Sequence, residues 1–358
     1  MKTVVFILVS LSDSHYRNRI MEFANHNIPV EVYGFERKGN NKTIDIPYKL
    51  ETLGLLEDES YKSRLKLYIK QLKKIGRKYK DSSAVFYLTS LDLAMVFHCI
   101  NPKLEYIYEE CDLTHTYLGK LKYFLEIVDK RIIKKSLLTI STSQGFINFH
   151  FKGICPNNVC LVENKLNPSI IEIDGVQKRD FDKKHLSIGF VGGPRFDSVY
   201  NFIDKFCSNF PQYVFHIYGG PVPENFNRLS KYKNCEFHGF FKNPVDLPQI
   251  YSSIDLVLAT YDVKFENVRY AEPNKIYESI YFETPIIVSK NTFLSEKVER
   301  LGIGYSINAM DEHEVVDFIN DLSLDSIKSR IYNIKKIDKS ETLNYNVELF
   351  ERIERLLV

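Results

Sequence analysis

Hydrophobic residues along this chain fall into short unbroken runs, spaced widely enough for a helix to lie between them. The first run, Val4-Val-Phe-Ile-Leu-Val9, has the pattern of a strand buried on both faces of a parallel sheet. A polar loop from Ser10 to Arg19 then enters a helix carrying Ile20, Met21, Phe23 and Ala24, and Asn27 to Gly34 returns as a second strand. That order predicts a βαβ unit. Ala84–Leu88, Tyr106–Tyr108, Leu137–Ser143 and Val159–Asn164 continue the strand series, with helices expected over Ala94–Cys99, over Leu118–Lys135 and from Gln144 onward.

The pattern restarts after residues 173–185, a polar stretch without periodicity that reads as a linker. Strands are expected at Leu186–Val191, Tyr213–Tyr218, Cys235–Phe241, Leu256–Thr260, Ile286–Ser289 and Gly302–Ile307. Helices are expected over Asp246–Asp255, Glu312–Leu322 and Asn344–Leu357, and the stretch Tyr261–Tyr270 reads as a loop. The prediction is an α/β protein of two Rossmann-like domains facing a cleft, 1–172 and 186–340. The last segment, 341–358, is expected to form a helix crossing back to the first domain.

Composition narrows this picture. A chain of 358 residues, 44% hydrophobic and 26% charged, is long enough for two folded cores. No apolar run approaches the roughly 18 residues that a membrane-crossing helix needs. Six cysteines without a CxxC pair point to unpaired thiols in a reducing cytoplasm. The net charge of +2 hides an asymmetry, because residues 1–172 carry 25 Lys+Arg against 19 Asp+Glu. The excess concentrates in residues 62–80, where Leu65, Ile69, Leu72 and Ile75 keep helical spacing among lysines. Such a helix suits either the inner face of an anionic membrane or an ordinary solvated crossover. Nucleic acid is not indicated, since no aromatic platform or helix-turn-helix pattern accompanies the charge.

Candidate chemistry concentrates in Tyr270-Ala-Glu-Pro-Asn-Lys-Ile-Tyr-Glu-Ser-Ile-Tyr-Phe-Glu-Thr-Pro-Ile-Ile-Val-Ser289. Pro273 suits the first turn of a helix, and Ile276 and Ile280 share a face that can be buried, while Asn274, Lys275 and Glu278 share another. The exposed N–H groups at the helix start suit a phosphate, and Glu278 suits a ribose one turn deeper. A sugar nucleotide offers both groups. Glycines follow two of the second-half strands, at Gly192-Gly193 and at Gly219, where a backbone can approach a diphosphate closely. The loop after the first strand lacks GxGxxG and offers Asp13, His15 and Arg17, together with Arg19, beyond a strand's carboxyl end.

Pro273 to Glu278 followed by Glu283-Thr-Pro-Ile-Ile-Val-Ser289 resembles the nucleotide-sugar signature of retaining, glycogen-synthase-like glycosyltransferases with the GT-B fold (glycosyltransferase group 1, or family 4-like). That pattern has two glutamates with seven residues between them. Glu278 matches the second, and Tyr270 stands at the first. The resemblance implies a strand ending near Tyr108 with a sugar-facing histidine and aspartate, where this chain has Cys111 and Asp112. Glu109, Glu110, Asp112 and His115 are the alternatives left to contact the sugar. It also implies an arginine and a later lysine on the phosphates. Arg195 matches the arginine, Ser198-Val-Tyr200 occupies the lysine's neighbourhood, and Lys275 is the residue left to supply charge. His238, Gly239 and Phe240 match the loop that reads the base.

The resemblance implies transfer of a sugar from a nucleoside diphosphate sugar to a glycan or lipid-linked acceptor. Surface polysaccharide synthesis is the expected setting, without a metal or other cofactor. Two further readings are consistent with the residues: a sugar-nucleotide epimerase, and a non-catalytic nucleotide-sugar-binding scaffold, which the departures at Tyr270 and Cys111 and the missing lysine after Arg195 favour.

Overall fold

The computed structural model describes residues 1–37, 44–56, 61–117, 119–176, 181 and 183–358. Two compact units result: Met1–Val162 together with Asn346–Val358, and Glu163–Tyr345.

In the first unit the strands are β1 (Val4–Leu8), β2 (Val30–Arg37), β3 (Leu50–Leu56), β4 (Val85–Leu88), β5 (Tyr106–Glu110), β6 (Leu138–Ser141) and β7 (Val159–Leu161). All pairings are parallel, in the order β3-β2-β1-β4-β5-β6-β7. Strand order reverses beside β1, the place where doubly wound sheets hold ligands. The helices are α1 (Ser14–Asn25), α2 (Tyr61–Lys78), α3 (Leu91–Ile100), α4 (Lys122–Lys135) and α5 (Gln144–Phe151). Leu118, the expected first residue of α4, lies outside the described residues.

Three local outcomes differ from the sequence pattern. β3 escaped notice because it is an edge strand with only Leu53 and Leu56 buried, interrupted by Gly54 at φ +110°. α1 starts earlier than its apolar residues suggest, because Asp13 accepts the His15 amide at 2.9 Å and caps it. His15 and Arg17 therefore ride on a helix instead of a loop. In α2 the apolar side, with Tyr68, Leu72 and Ile75 buried and Leu65 and Ile69 packed beside them, lies against the unit's own core. That face is already used.

The second unit has β8 (Ser187–Val191), β9 (Val214–Tyr218), β10 (Cys235–Gly239), β11 (Leu256–Ala259), β12 (Ile286–Ser289) and β13 (Gly304–Ile307), in the order β10-β9-β8-β11-β12-β13. These pairings are parallel as well. Its helices are α6 (Asp197–Asn209), α7 (Leu247–Ser253), α8 (Glu266–Tyr270), α9 (Lys275–Tyr281), α10 (Phe293–Leu301), α11 (Glu312–Asp321) and α12 (Leu324–Ile334). The expected loop at 261–270 thus contains a helical turn. Leu166 and Ile170 are buried with Leu247 and Tyr251, and Leu166 bridges to Leu343, which is why the second unit begins at Glu163 and not after residue 172. Part of the 173–185 stretch, residues 177–180 and 182, lies outside the described residues.

The last helix, α13 (Val347–Leu357), belongs to the first unit. Leu349, Phe350, Ile353 and Leu357 are buried with Val4, Phe6 and Phe23, and the Phe350 ring stacks on His26 at 3.8 Å. Arg352 also donates to the Val159 carbonyl at 2.9 Å.

Candidate functional site

In the first unit, β5 carries two successive glutamates whose side chains alternate in direction. Glu109 is fully buried and accepts from the Arg19 guanidinium at 3.0 Å, the His15 Nε2 at 3.1 Å and the Tyr87 hydroxyl at 2.7 Å. Burial alone would raise its pKa, but Arg19 and His15 overcome that and hold the carboxyl well below its ordinary range. For His15, burial pulls the pKa down and the Glu109 carboxylate more than reverses it.

Glu110 points the other way, into an interior network. Its Oε1 is 2.7 Å from His150 Nε2, and Asp129 sits 3.2 Å from His115 Nδ1 while accepting from Tyr108 at 3.2 Å. His115 and Asp129 are fully buried. Glu110 and His115, expected to touch a sugar, are therefore turned into the core, and Asp112 is left exposed on the following turn. Asp13 is occupied as a cap, and Arg17 donates to the Asp45 carbonyl at 2.9 Å. His15 is different. Its Nε2 lies 3.7 Å from Cys111 Sγ and its side chain is 37% exposed. An imidazole thus stands beside Cys111 although sequence position 111 lacks one. The strand order β1-β4-β5 brings it there, and no local spacing could have revealed that.

In the second unit, Gly192, Gly219 and Gly239 end the adjacent strands β8, β9 and β10, at φ +133°, +123° and +74°. The Gly192 amide donates to the Tyr218 carbonyl at 2.6 Å and the Gly219 amide to the Gly239 carbonyl at 2.7 Å. A Cβ at Gly219 would fall 2.5 Å from the Gly192 carbonyl oxygen, and one at Gly220 would fall 3.2 Å from the Phe240 ring. Gly193 packs in the same way against the Gly220 carbonyl. At Gly219 only glycine permits this approach. Phe240 itself is 81% exposed beside the turns.

Lys275 reaches these glycines from α9. Its Nζ lies 3.2 Å from the place a Gly192 Cβ would take and 5.6 Å from the Phe190 ring centre. The residue is buried, and among the described residues no carboxylate forms an ion pair with it. Arg195 is exposed, its guanidinium 5.1 Å from the centre of the Phe196 ring. The start of α6 offers no seat for an anion, because Asp262 accepts from the Asp197 and Ser198 amides at 3.2 and 2.8 Å.

Glu278 is buried, with Oε2 accepting from the Tyr251 hydroxyl at 2.6 Å and Oε1 from the exposed Asn274 amide at 3.0 Å. Burial raises its pKa and the Lys275 charge offsets part of that. Pro273 precedes this pair at the helix entry. Tyr270 ends α8, and two residues on comes an acid the sequence reading passed over. Glu272 is buried, holds Lys297 Nζ at 2.6 Å and accepts from the Tyr277 hydroxyl. An acid directly before Pro at a helix entry was the available signal.

Residues 185–325 match the family model described as Glycosyl transferases group 1. That segment is similar to group 1 glycosyltransferases. The chain has the GT-B fold. Over 349 residues, 90% of this chain and 85% of the relative, it is 22% identical to the succinoglycan biosynthesis protein ExoL of Rhizobium meliloti (strain 1021). Among solved structures, the sucrose-phosphate synthase of Thermosynechococcus elongatus superposes with a TM-score of 0.72 at 14% identity, covering 99% of both chains. Anabaena HepE in complex with UDP and glucose superposes at 0.69 and 13% identity, over 100% of this chain and 99% of that one. The lipopolysaccharide outer core galactosyltransferase WaaB gives 0.62 at 15%, over 99% and 98%. The matched segment holds the glycine turns, Arg195, Lys275 and Glu278.

Proposed function

We propose that this protein is a glycosyltransferase that takes a sugar from a nucleoside diphosphate sugar and passes it, with retained anomeric configuration, to a glycan or lipid-linked acceptor of a surface polysaccharide. The observation that carries the donor is Lys275, a buried ammonium that forms no carboxylate ion pair among the described residues, set over the Gly192 turn. The departing diphosphate gains charge as the glycosidic bond breaks, and a fixed cation in a sheltered position stabilises that charge more than water does. Arg195 adds a second cation from the turn that follows Gly193. Glu278 is the group for the ribose, and Gly239 with Phe240 borders the base.

HepE was solved with UDP-glucose, and the name of ExoL places that relative in polysaccharide synthesis, which together favour a uridine donor and a glycan acceptor. The first unit is the acceptor side in this reading. His15, held by Glu109 beside Cys111, is its imidazole for the transferred sugar. Retention rests on the glycogen-synthase-like signature at Pro273 to Ser289.

The test is a thermal-shift series of UDP, GDP, CDP, dTDP and ADP sugars on the wild type and on Lys275→Ala. A binder stabilises the native state by about 2.7 kcal/mol at a hundredfold excess over Kd. One nucleotide class should shift the wild type and lose that shift in the variant. No shift with any donor would remove the donor assignment.

A further inference from the structure

The second unit carries a group of side chains to which the proposed transfer gives no role, although one of them, His238, stands in the loop matched to the base. β9 and β10 pair in parallel with His216 opposite Glu236, and the register shifts between Phe237 and Gly239. Glu236 and His238 are two apart on β10 and so share a face of the sheet. That face also receives His216. The three donor atoms converge: His216 Nδ1 to His238 Nε2 is 3.0 Å, His216 Nδ1 to Glu236 Oε2 is 3.3 Å, and His238 Nε2 to Glu236 Oε2 is 3.6 Å.

We propose that His216, Glu236 and His238 form a binding site for a zinc-class divalent cation. Bonds of about 2.0–2.2 Å from zinc to imidazole nitrogen and carboxylate oxygen, in tetrahedral directions, place ligand atoms about 3.3 Å apart. The three sides of the observed triangle, from 3.0 to 3.6 Å, bracket that value. Two imidazoles and one carboxylate suit zinc, nickel or copper, whereas magnesium and calcium favour oxygen donors alone. The ligands come from neighbouring strands, so backbone pairing preorganises them. Tyr218 stacks on the His238 ring at 4.2 Å and an interplanar angle of 10°, which fixes its orientation.

The site is reachable, with side-chain exposures of 13% for His216, 34% for His238 and 50% for Glu236. A second group of possible ligands, Glu110, Asp129 and His150, is buried throughout and lacks that access. The proton held between the two facing nitrogens moves to a far ring nitrogen or to solvent when the metal takes both lone pairs. The cation would tie the edge strand β10 to β9 immediately before Gly239 and Phe240. The ligands are side chains, whereas the base is assigned to the turn at Gly239 and Phe240 that directly follows His238.

The test uses the full chain, stripped with a chelator and titrated with Zn2+ by calorimetry and with Co2+ by visible absorption. One equivalent should bind the wild type and raise its Tm, and Co2+ should give the spectrum of a tetrahedral nitrogen and oxygen site. His216→Ala and His238→Ala should each weaken Zn2+ by at least the roughly 10–100-fold that loss of a mere supporting partner costs. Their unliganded Tm should stay near that of the wild type, which separates lost ligation from lost folding. Binding that survives the double variant, a thiolate band in the Co2+ spectrum, or no uptake by the wild type would overturn the proposal.

Discussion

Lys275 Nζ stands 3.2 Å from the place where a side chain at Gly192 would begin, so the anion seat proposed above would depend on one residue's charge and on the other's lack of a side chain. The two contributions separate by mutation. Lys275→Ala removes a charge-assisted bond worth about 1.5–3 kcal/mol, which is roughly one to two orders of magnitude in Kd for a nucleoside diphosphate. Gly192→Ala leaves the charge in place but forces an L residue to φ +133° and pushes on Nζ. Both variants should bind donor weakly by calorimetry, and only Gly192→Ala should also lower the Tm of the unliganded chain.

Glu278 permits a sharper separation of stability from function. Burial raises its folded pKa above the usual 4.5, so ionising it costs the native state stability once pH rises past that value. Glu278→Gln removes that cost and keeps the shape, and the Tyr251 hydroxyl can then accept where it now donates. Its Tm at pH 7.5 should equal or exceed that of the wild type, the difference shrinking toward pH 4. Donor affinity should fall about 10-fold, as for loss of one hydrogen bond to a charged group. A variant with both a higher Tm and unchanged donor affinity would take Glu278 out of the site.

Much of this was legible in the chain. Unbroken apolar runs such as Val4–Val9 and Leu256–Thr260 predict buried parallel strands, and the segment around Glu278 carries a recognisable signature. Other features depend on distant pairing. Nothing near Cys111 announces His15, since their meeting is made by the order of β1, β4 and β5. Glu110 and His115 resemble site residues at a strand's end, but alternation along β5 sends Glu110 to the side where Asp129 and His150 wait. The basic stretch at 62–80 shows its apolar period clearly, yet period alone does not say what covers that face, and here the first core does.

The hub at Glu109 should show in acid. Its folded pKa is depressed, so its contribution to stability is complete above the unfolded value of 4.5 and is lost as pH falls below it. Glu109→Gln strands the Arg19 guanidinium in the interior and should cost about 3–5 kcal/mol at neutral pH. Melting curves from pH 3 to 7 should therefore show the wild type losing stability on acidification, with the variant lower and flatter. His15 runs the opposite way. Its raised pKa adds stability below an ordinary value of 6.5 that disappears as pH climbs through the folded one. His15→Gln should abolish that alkaline loss while leaving the acid limb in place.

Where the acceptor is lipid-linked, the exposed apolar residues at the start of α4 are the surface expected to meet the membrane. Leu121, Tyr123, Phe124 and Ile127 are between 60% and 72% exposed, and Lys120 and Lys122 flank them. Buried apolar area and attraction to anionic headgroups together set the strength of such contact. α2 has the lysines but not the apolar face, which its own unit covers. Flotation with vesicles containing anionic lipid should carry the wild type, and the double variant Phe124→Ser, Ile127→Ser should remain in the heavy fraction with its Tm unchanged. Charge reversal at Lys66 and Lys70 on α2 should weaken flotation only modestly, by the ~1 kcal/mol that each surface lysine contributes. Equal flotation of the α4 variant would place the acceptor's approach elsewhere, and loss of flotation only on charge reversal in α2 would return the contact to residues 62–80.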